Sequence, residues 1–214
     1  MKKRIVCYGD SNTWGYISGS GERYDESVRW PCRLQQMLGS DYIIAEEGLT
    51  GRTTVFDDPL DPYLNGIKYM PPALLTGAPI DLLIFMLGTN DFQSHISGNN
   101  PIATARGVQT MLEEARKLNV GRDGKTLRIL LISPIEITED RLTFKDNDLT
   151  DEKSIENSRL LGPLLKIVAE QTGCAFIDAA KHIRPSSVDG VHMNQDGHAA
   201  MAELIYPEVK KILP

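Results

Sequence analysis

Ile5-Val6-Cys7-Tyr8-Gly9-Asp10-Ser11-Asn12-Thr13-Trp14-Gly15 begins with a short apolar run and turns at once into a Gly-Asp-Ser step. Four consecutive apolar residues bounded by a glycine are what a strand buried on both faces requires. A serine on the tight turn after such a strand lies at the carboxyl edge of a parallel sheet, where open α/β sheets place their ligands. A helix cap explains the same Asp10-Ser11 pair equally well, because either side chain can satisfy free amides at a helix start. The segment is not the G-x-S-x-G elbow of α/β-hydrolases, since the second glycine is missing.

Outward from this segment, further apolar runs at Tyr42 to Ala45, Leu82 to Leu87, Leu127 to Ile132 and Ala175 to Ile177 predict four more strands. Helical periodicity falls between them. Pro31 starts a pattern carrying Leu34, Met37 and Leu38, and Asn100-Pro101 pairs a cap with a proline at the first helical position. A third pattern carries Leu161, Leu164, Leu165 and Val168, with Gly162-Pro163 expected to break or kink it. The last runs from about Gln195 to Leu213, with Pro207 inside it. Strand–helix alternation predicts a three-layer α/β/α fold. Two polar, turn-rich segments, Thr53 to Pro72 and Pro134 to Thr150, fall outside the alternation and are expected to be functional loops or contact surfaces.

The 214 residues suit a single domain, 1–214, with ordinary globular composition, 41% hydrophobic and 24% charged. A net charge of −6 disfavours nucleic acid and anionic membranes as partners, because both reward clustered positive charge. The apolar run after the basic Met1 to Arg4 is too short for a signal peptide, and Leu82 to Leu87 is too short to span a bilayer. Cys7, Cys32 and Cys174 are odd in number and widely spaced, the pattern of reduced packing residues in a cytoplasmic protein.

Serine chemistry needs a base, an orienting acid and donors for an oxyanion. Asp189-Gly190-Val191-His192 offers an acid and a base across a glycine turn, whereas His95, His182 and His198 have the contexts of surface or core residues. Asn90, in Gly88-Thr89-Asn90-Asp91 after the third strand, can present a side-chain amide. Gly51, in Glu47-Gly48-Leu49-Thr50-Gly51-Arg52 after the second strand, can present an unobstructed N–H. Each motif taken alone is also an ordinary turn. Their convergence at one sheet edge is the argument for a site.

With these blocks in order, the sequence resembles the SGNH hydrolases, also called GDSL esterases and lipases. The resemblance implies a flavodoxin-like, five-stranded parallel sheet. It implies Ser11 as nucleophile, His192 as base and Asp189 as third triad member. Ser11 N–H, Gly51 N–H and the Asn90 amide are implied as the oxyanion hole. It implies an ester substrate and no cofactor or metal. Asp57, Asp58 and Asp61 do not have calcium-loop spacing and are expected in a solvated or interface loop. Asp10, Asp91 and Asp178 are expected to be structural hydrogen-bond partners. Asn12 departs from the usual leucine beside the nucleophile, and Glu46 stands where many members carry Asn. The runs Glu46 to Thr54, Asp57 to Gly66 and Met86 to Asp91 are similar to a branch of bacterial aryl esterases with acyltransferase and perhydrolase activity, which implies a ring-like homo-oligomer and a role for the two loops at subunit contacts. A carbohydrate deacetylase with the same triad, or a non-catalytic flavodoxin-like binding module, would share this outline, though no phosphate-binding glycine loop supports the latter.

Overall fold

The computed structural model of the chain describes residues 1–145, 147 and 149–214. Asp146 and Asp148, inside the Pro134 to Thr150 segment, lie outside the described residues. Five parallel strands form one sheet in the order β2-β1-β3-β4-β5. They are β1 (Lys3–Gly9), β2 (Tyr42–Gly48), β3 (Leu82–Met86), β4 (Ile129–Ser133) and β5 (Ala175–Asp178). The register runs Ile5 to Ile44 on one side of β1 and Ile5 to Leu82 on the other. All strands point the same way, so the segments leaving them emerge along one edge.

Alternate side chains feed two cores. Val6, Tyr8, Leu83, Phe85, Ile129 and Leu131 pack against α3 (Gly66–Gly77), α4 (Pro101–Lys117) and α6 (Glu152–Thr172). Ile5, Cys7, Leu82, Ile84, Leu130 and Ile132 pack against α2 (Trp30–Leu38) and α7 (Gln195–Ile212). The layers are those the alternation predicts. Full burial of each such aliphatic side chain contributes about 1.5–3 kcal/mol relative to exposure. Short helices α1 (Ser11–Trp14) and α5 (Asp140–Thr143) sit in the connections. Among the described residues, no helix is long and apolar enough to cross a membrane.

Three expectations change. The segment Thr53 to Pro72 is not all loop, because α3 begins at Gly66 and runs through Pro71 and Pro72. Met70, Ala73 and Leu74 point into the core, and that burial sustains the helix despite two prolines. Gly162-Pro163 does not interrupt α6 either. Leu161 and Leu165 on either side are buried, and a capping box between Asp151 and Ser154 anchors the start. Asp58 is not solvated: it is 7% exposed and bonded to His95 Nε2 at 3.0 Å. The apolar side chains of the two long segments divide between core and surface. Ile135 is buried and Val55 and Ile67 pack on the core, while Tyr63, Tyr69 and Leu142 remain exposed.

Gly48, the last residue of β2, sets the position of α1. A Cβ there would lie 2.3 Å from Trp14 N and 2.7 Å from Thr13 C, backbone atoms with no freedom to yield. Gly48→Ala is expected to destabilise the protein by about 1–3 kcal/mol, read as a lower denaturant midpoint at unchanged slope. Gly77→Ala, whose Cβ would make only ordinary contacts at 3.7 and 3.8 Å, is the control and should be nearly neutral.

Candidate active site

Ser11 is the first residue of α1, one residue after β1 ends at Gly9. Asp10 caps that helix by accepting the Asn12 N–H at 3.0 Å, so the cap and the serine of this motif coexist. The turn holds Ser11 4% exposed, with its hydroxyl facing a cleft of about 280 Å³.

His192 Nε2 lies 2.9 Å from Ser11 Oγ, and His192 Nδ1 lies 2.7 Å from Asp189 Oδ2. The other Asp189 oxygen accepts the N–H groups of Val191 at 3.1 Å and His192 at 3.0 Å. Burial works to raise the Asp189 carboxyl, but the His192 ring and these amides outweigh it and hold the group below the ordinary carboxylate range. An ionised Asp189 makes Nδ1 the donor and leaves Nε2 to accept the serine proton. The three side chains therefore form one polarised line that can deprotonate a hydroxyl.

Gly51 has φ +80, a left-handed conformation open to glycine at no steric cost. It lines the same cleft as Ser11 and Asn90. Asn90 Nδ2 donates to Arg52 O at 3.0 Å, and Asn90 Oδ1 accepts Gln93 Nε2 at 3.1 Å. These two bonds fix the amide so that its remaining N–H is available to the cleft. All five residues marked in the sequence thus meet at one place.

Three contributors were not singled out. Tyr16 stacks on the His192 ring, with centroids 4.2 Å apart and planes inclined by 29°. Gln93 orients Asn90, and nothing in its sequence context distinguishes it. Asn12, noted only as a departure, binds both neighbours of His192: its Nδ2 donates to Val191 O at 3.2 Å and its Oδ1 accepts Met193 N–H at 2.9 Å. The polar residue beside Ser11 therefore clamps the histidine turn. Glu46, the other departure, pairs with Arg29 through both oxygens at 2.8 Å, away from the cleft.

Of the two long segments, Pro134 to Thr150 borders the cleft through Ile137, Arg141, Phe144 and Thr150, whereas Thr53 to Pro72 does not. His198 is fully buried, and that burial drives its ring down to about 4, as suits a core residue. His182 is exposed. Asp178 accepts Ser133 Oγ at 2.9 Å, and Asp91 accepts both the N–H and the hydroxyl of Thr54, the structural roles expected of them. The described residues hold no cluster of three or more His, Cys, Asp or Glu able to ligate a metal.

Residues 7–200 match the GDSL-like lipase/acylhydrolase family model. The chain belongs to this family. Its fold is similar to that of the aryl esterase of M. smegmatis, with 32% identity, a TM-score of 0.90, and coverage of 99% of this chain and 100% of that one. It is equally similar to Est24, a carbohydrate acetylesterase from Sinorhizobium meliloti, at 31% identity and a TM-score of 0.91 over 99% of this chain and 100% of that one. An acetylxylan esterase of Xylanibacter ruminicola is 26% identical over 97% of this chain. The chain spans 43% of that curated relative's length.

Two acids behind the family's Gly-Asp-Ser and Gly-Thr-Asn-Asp blocks carry a stability signature. Burial raises Asp91 to about 7 and Asp10 to about 6, against hydrogen bonds from Thr54 and Asn12 respectively that pull the other way. An unfolded Asp titrates near 3.9, so both bind protons more tightly in the folded chain. Their contribution is complete below about pH 4 and is lost as the pH rises through about 6 to 7. Asp91→Asn keeps an acceptor for the Thr54 N–H and removes the titration. Its thermal midpoint is expected to fall less between about pH 5 and about pH 7 than that of the unaltered protein, by a few degrees, in calorimetric scans.

Proposed function

We propose that this protein is a serine esterase acting on short-chain carboxylic esters. The observation that carries the proposal is the Asp189–His192–Ser11 line, closed at 2.7 and 2.9 Å beside the Gly51 and Asn90 donors. His192 Nε2 takes the Ser11 proton as Oγ attacks the carbonyl carbon, and Asp189 stabilises the imidazolium. The tetrahedral oxyanion sits among the Ser11 and Gly51 N–H groups and the Asn90 amide. The C–O bond to the alcohol breaks, His192 returns the proton to the leaving oxygen, and an acyl group remains on Ser11. Water, or a second alcohol, then attacks with His192 again as base. The chemistry as proposed calls on no metal and no organic cofactor.

The names of Est24 and of the curated relative favour an acetylated carbohydrate as a second reading of the substrate, while the M. smegmatis relative favours aryl esters. The same residues serve both, and an acyl panel on aryl and sugar leaving groups separates them. The proposal extends to a single domain that assembles as a homo-oligomer, supported by exposed Leu60, Tyr63 and Tyr69, and to a cytoplasmic setting, supported by three free cysteines.

Ser11→Ala should fold normally and lose nearly all turnover of a chromogenic acetate. Loss of a triad nucleophile costs on the order of 10⁶ in kcat in a protease; retention within about tenfold would remove Ser11 from its role. Asn12→Ala frees the turn that holds His192, and kcat should fall roughly 10- to 100-fold with KM little changed, the pattern of a misplaced base. A pure KM effect would make Asn12 a substrate contact instead. Product analysis with added alcohol checks acyl transfer, and light scattering checks assembly. Ester product alongside free acid and a mass above that of a dimer are expected.

A further inference from the structure

Tyr16 lies face to face with the ring of His192, 4.2 Å from centroid to centroid. The chain bends sharply to put it there. Gly15 closes α1 in a left-handed conformation, φ +92, and its carbonyl accepts Tyr24 N–H at 2.7 Å. Between these two residues runs a short antiparallel loop, with Tyr16 bridged to Arg23 and Ile17 N–H donating to Glu22 O at 2.9 Å. Two arginines hold its base. Arg23 donates to Trp14 O at 2.7 Å, Arg29 donates to Tyr24 O at 2.8 Å, and both reach the Glu46 carboxylate. The glutamate that departs from the family pattern therefore fixes the loop that carries Tyr16.

An imidazole that takes the Ser11 proton becomes a cation, and the negative face of an aromatic ring attracts a cation within about 6 Å. The His192 side chain is only 12% exposed, so water screens this attraction less than at an open surface. Geometry adds a second effect. Asp189 and Ser11 hold the two ring nitrogens by bonds at its edges, which constrain the tilt of the ring less than its position. A ring stacked on the face opposes that tilt. The titratable groups whose charges act on His192 are Asp189 in its own turn, Asp10 after β1 and His198 in α7. A change confined to Tyr16 leaves all three in the chain.

We propose that Tyr16 is a positioning residue for the serine reaction: its face keeps the His192 ring in line with Ser11 and Asp189 and stabilises the imidazolium formed as Ser11 attacks. The proposal rests on the esterase reading and adds to it a group that acts through the histidine. Tyr16 exchanges no proton. The proton passes from Ser11 Oγ to His192 Nε2 and on to the leaving oxygen, as before. The contact is made by the ring face, so the phenol hydroxyl is dispensable.

With only four histidines in the chain, the His192 ring can be titrated directly by NMR, its resonance assigned by its loss in His192→Gln. Tyr16→Phe keeps the aromatic face and should titrate as the unaltered protein does. Tyr16→Leu removes the face, so the imidazolium gives up its proton sooner and the midpoint should fall by about half a pH unit. Should Tyr16→Leu fail to fold, Tyr16→Trp decides: its larger face should raise the midpoint, and an unchanged or lower one would count against the role. On a chromogenic acetate, Tyr16→Leu should lower kcat about three- to tenfold with KM little changed, while Tyr16→Phe stays within about twofold. The acid limb of kcat/KM should move down together with the NMR midpoint. A midpoint indifferent to loss of the ring, an effect of Tyr16→Leu confined to KM, or an equal loss in Tyr16→Phe would overturn the proposal. An unaltered protein without turnover would overturn the esterase reading and this role with it, whereas turnover with an unmoved midpoint overturns the role alone.

Discussion

Ser11 and His192 are 181 residues apart in the chain and 2.9 Å apart in space. Almost everything else in the structure can be understood as the means of keeping that bond. A loop closed over such a separation costs several kcal/mol of chain entropy, which a single hydrogen bond worth about 1 kcal/mol net cannot offset. The parallel sheet does so instead. It packs β1 beside β2 and β3, and α7, which follows the histidine turn, packs on the same core as α2. Asn12 then completes the closure locally, by tying the backbone on both sides of His192 to the residue next to Ser11.

The electrostatics of the edge are divided by depth. Asp189 is buried but surrounded by donors, and stays ionised below the ordinary carboxylate range. Asp10 and Asp91, also near the strand ends, are enclosed more completely, and that burial drives them upward to about 6 and about 7 against the hydrogen bonds they accept. Identical carboxyl groups therefore take opposite charge behaviour at one sheet edge, and the difference lies in whether burial outweighs the hydrogen bonds and charges around each. The acid that orients the histidine is the one whose surroundings keep it charged.

Arg52 braces the segment after β2. Its carbonyl takes a hydrogen bond from Asn90, on the side of Ser11, while its guanidinium faces the other way between Tyr8 and Tyr69. The residue follows Gly51, whose left-handed backbone turns the chain between those two directions. One short segment after β2 thus presents a backbone donor to the cleft and a side-chain clamp to the carbonyls of Gly9 and Glu47.

Much of this was legible in the residues alone. Short apolar runs named all five strands, because strands covered on both faces have no alternation to obscure them. The blocks around Ser11, Gly51, Asn90, Asp189 and His192 could be recognised because chemistry restricts residue type at each position. What stayed hidden was set by partners distant in sequence. Helix α3 was masked by Pro71-Pro72, whose local preference is overruled by burial of Met70, Ala73 and Leu74; Pro163 in α6 was overruled in the same way. Asp58 looked like part of a solvated acidic loop until folding brought His95 to it. Asn12 showed only as a departure from the usual leucine, and Tyr16 and Gln93 carry no signal of their own, since a glutamine becomes an orienting group only when an Asn90 carbonyl lies 3.1 Å away. Local sequence thus determined the strands and the reactive groups, because each depends on a residue's own polarity and chemistry. Tertiary packing alone decided which weak helices persist and which ordinary polar side chains hold the reactive ones in line, because those outcomes depend on neighbours that the chain supplies only after folding.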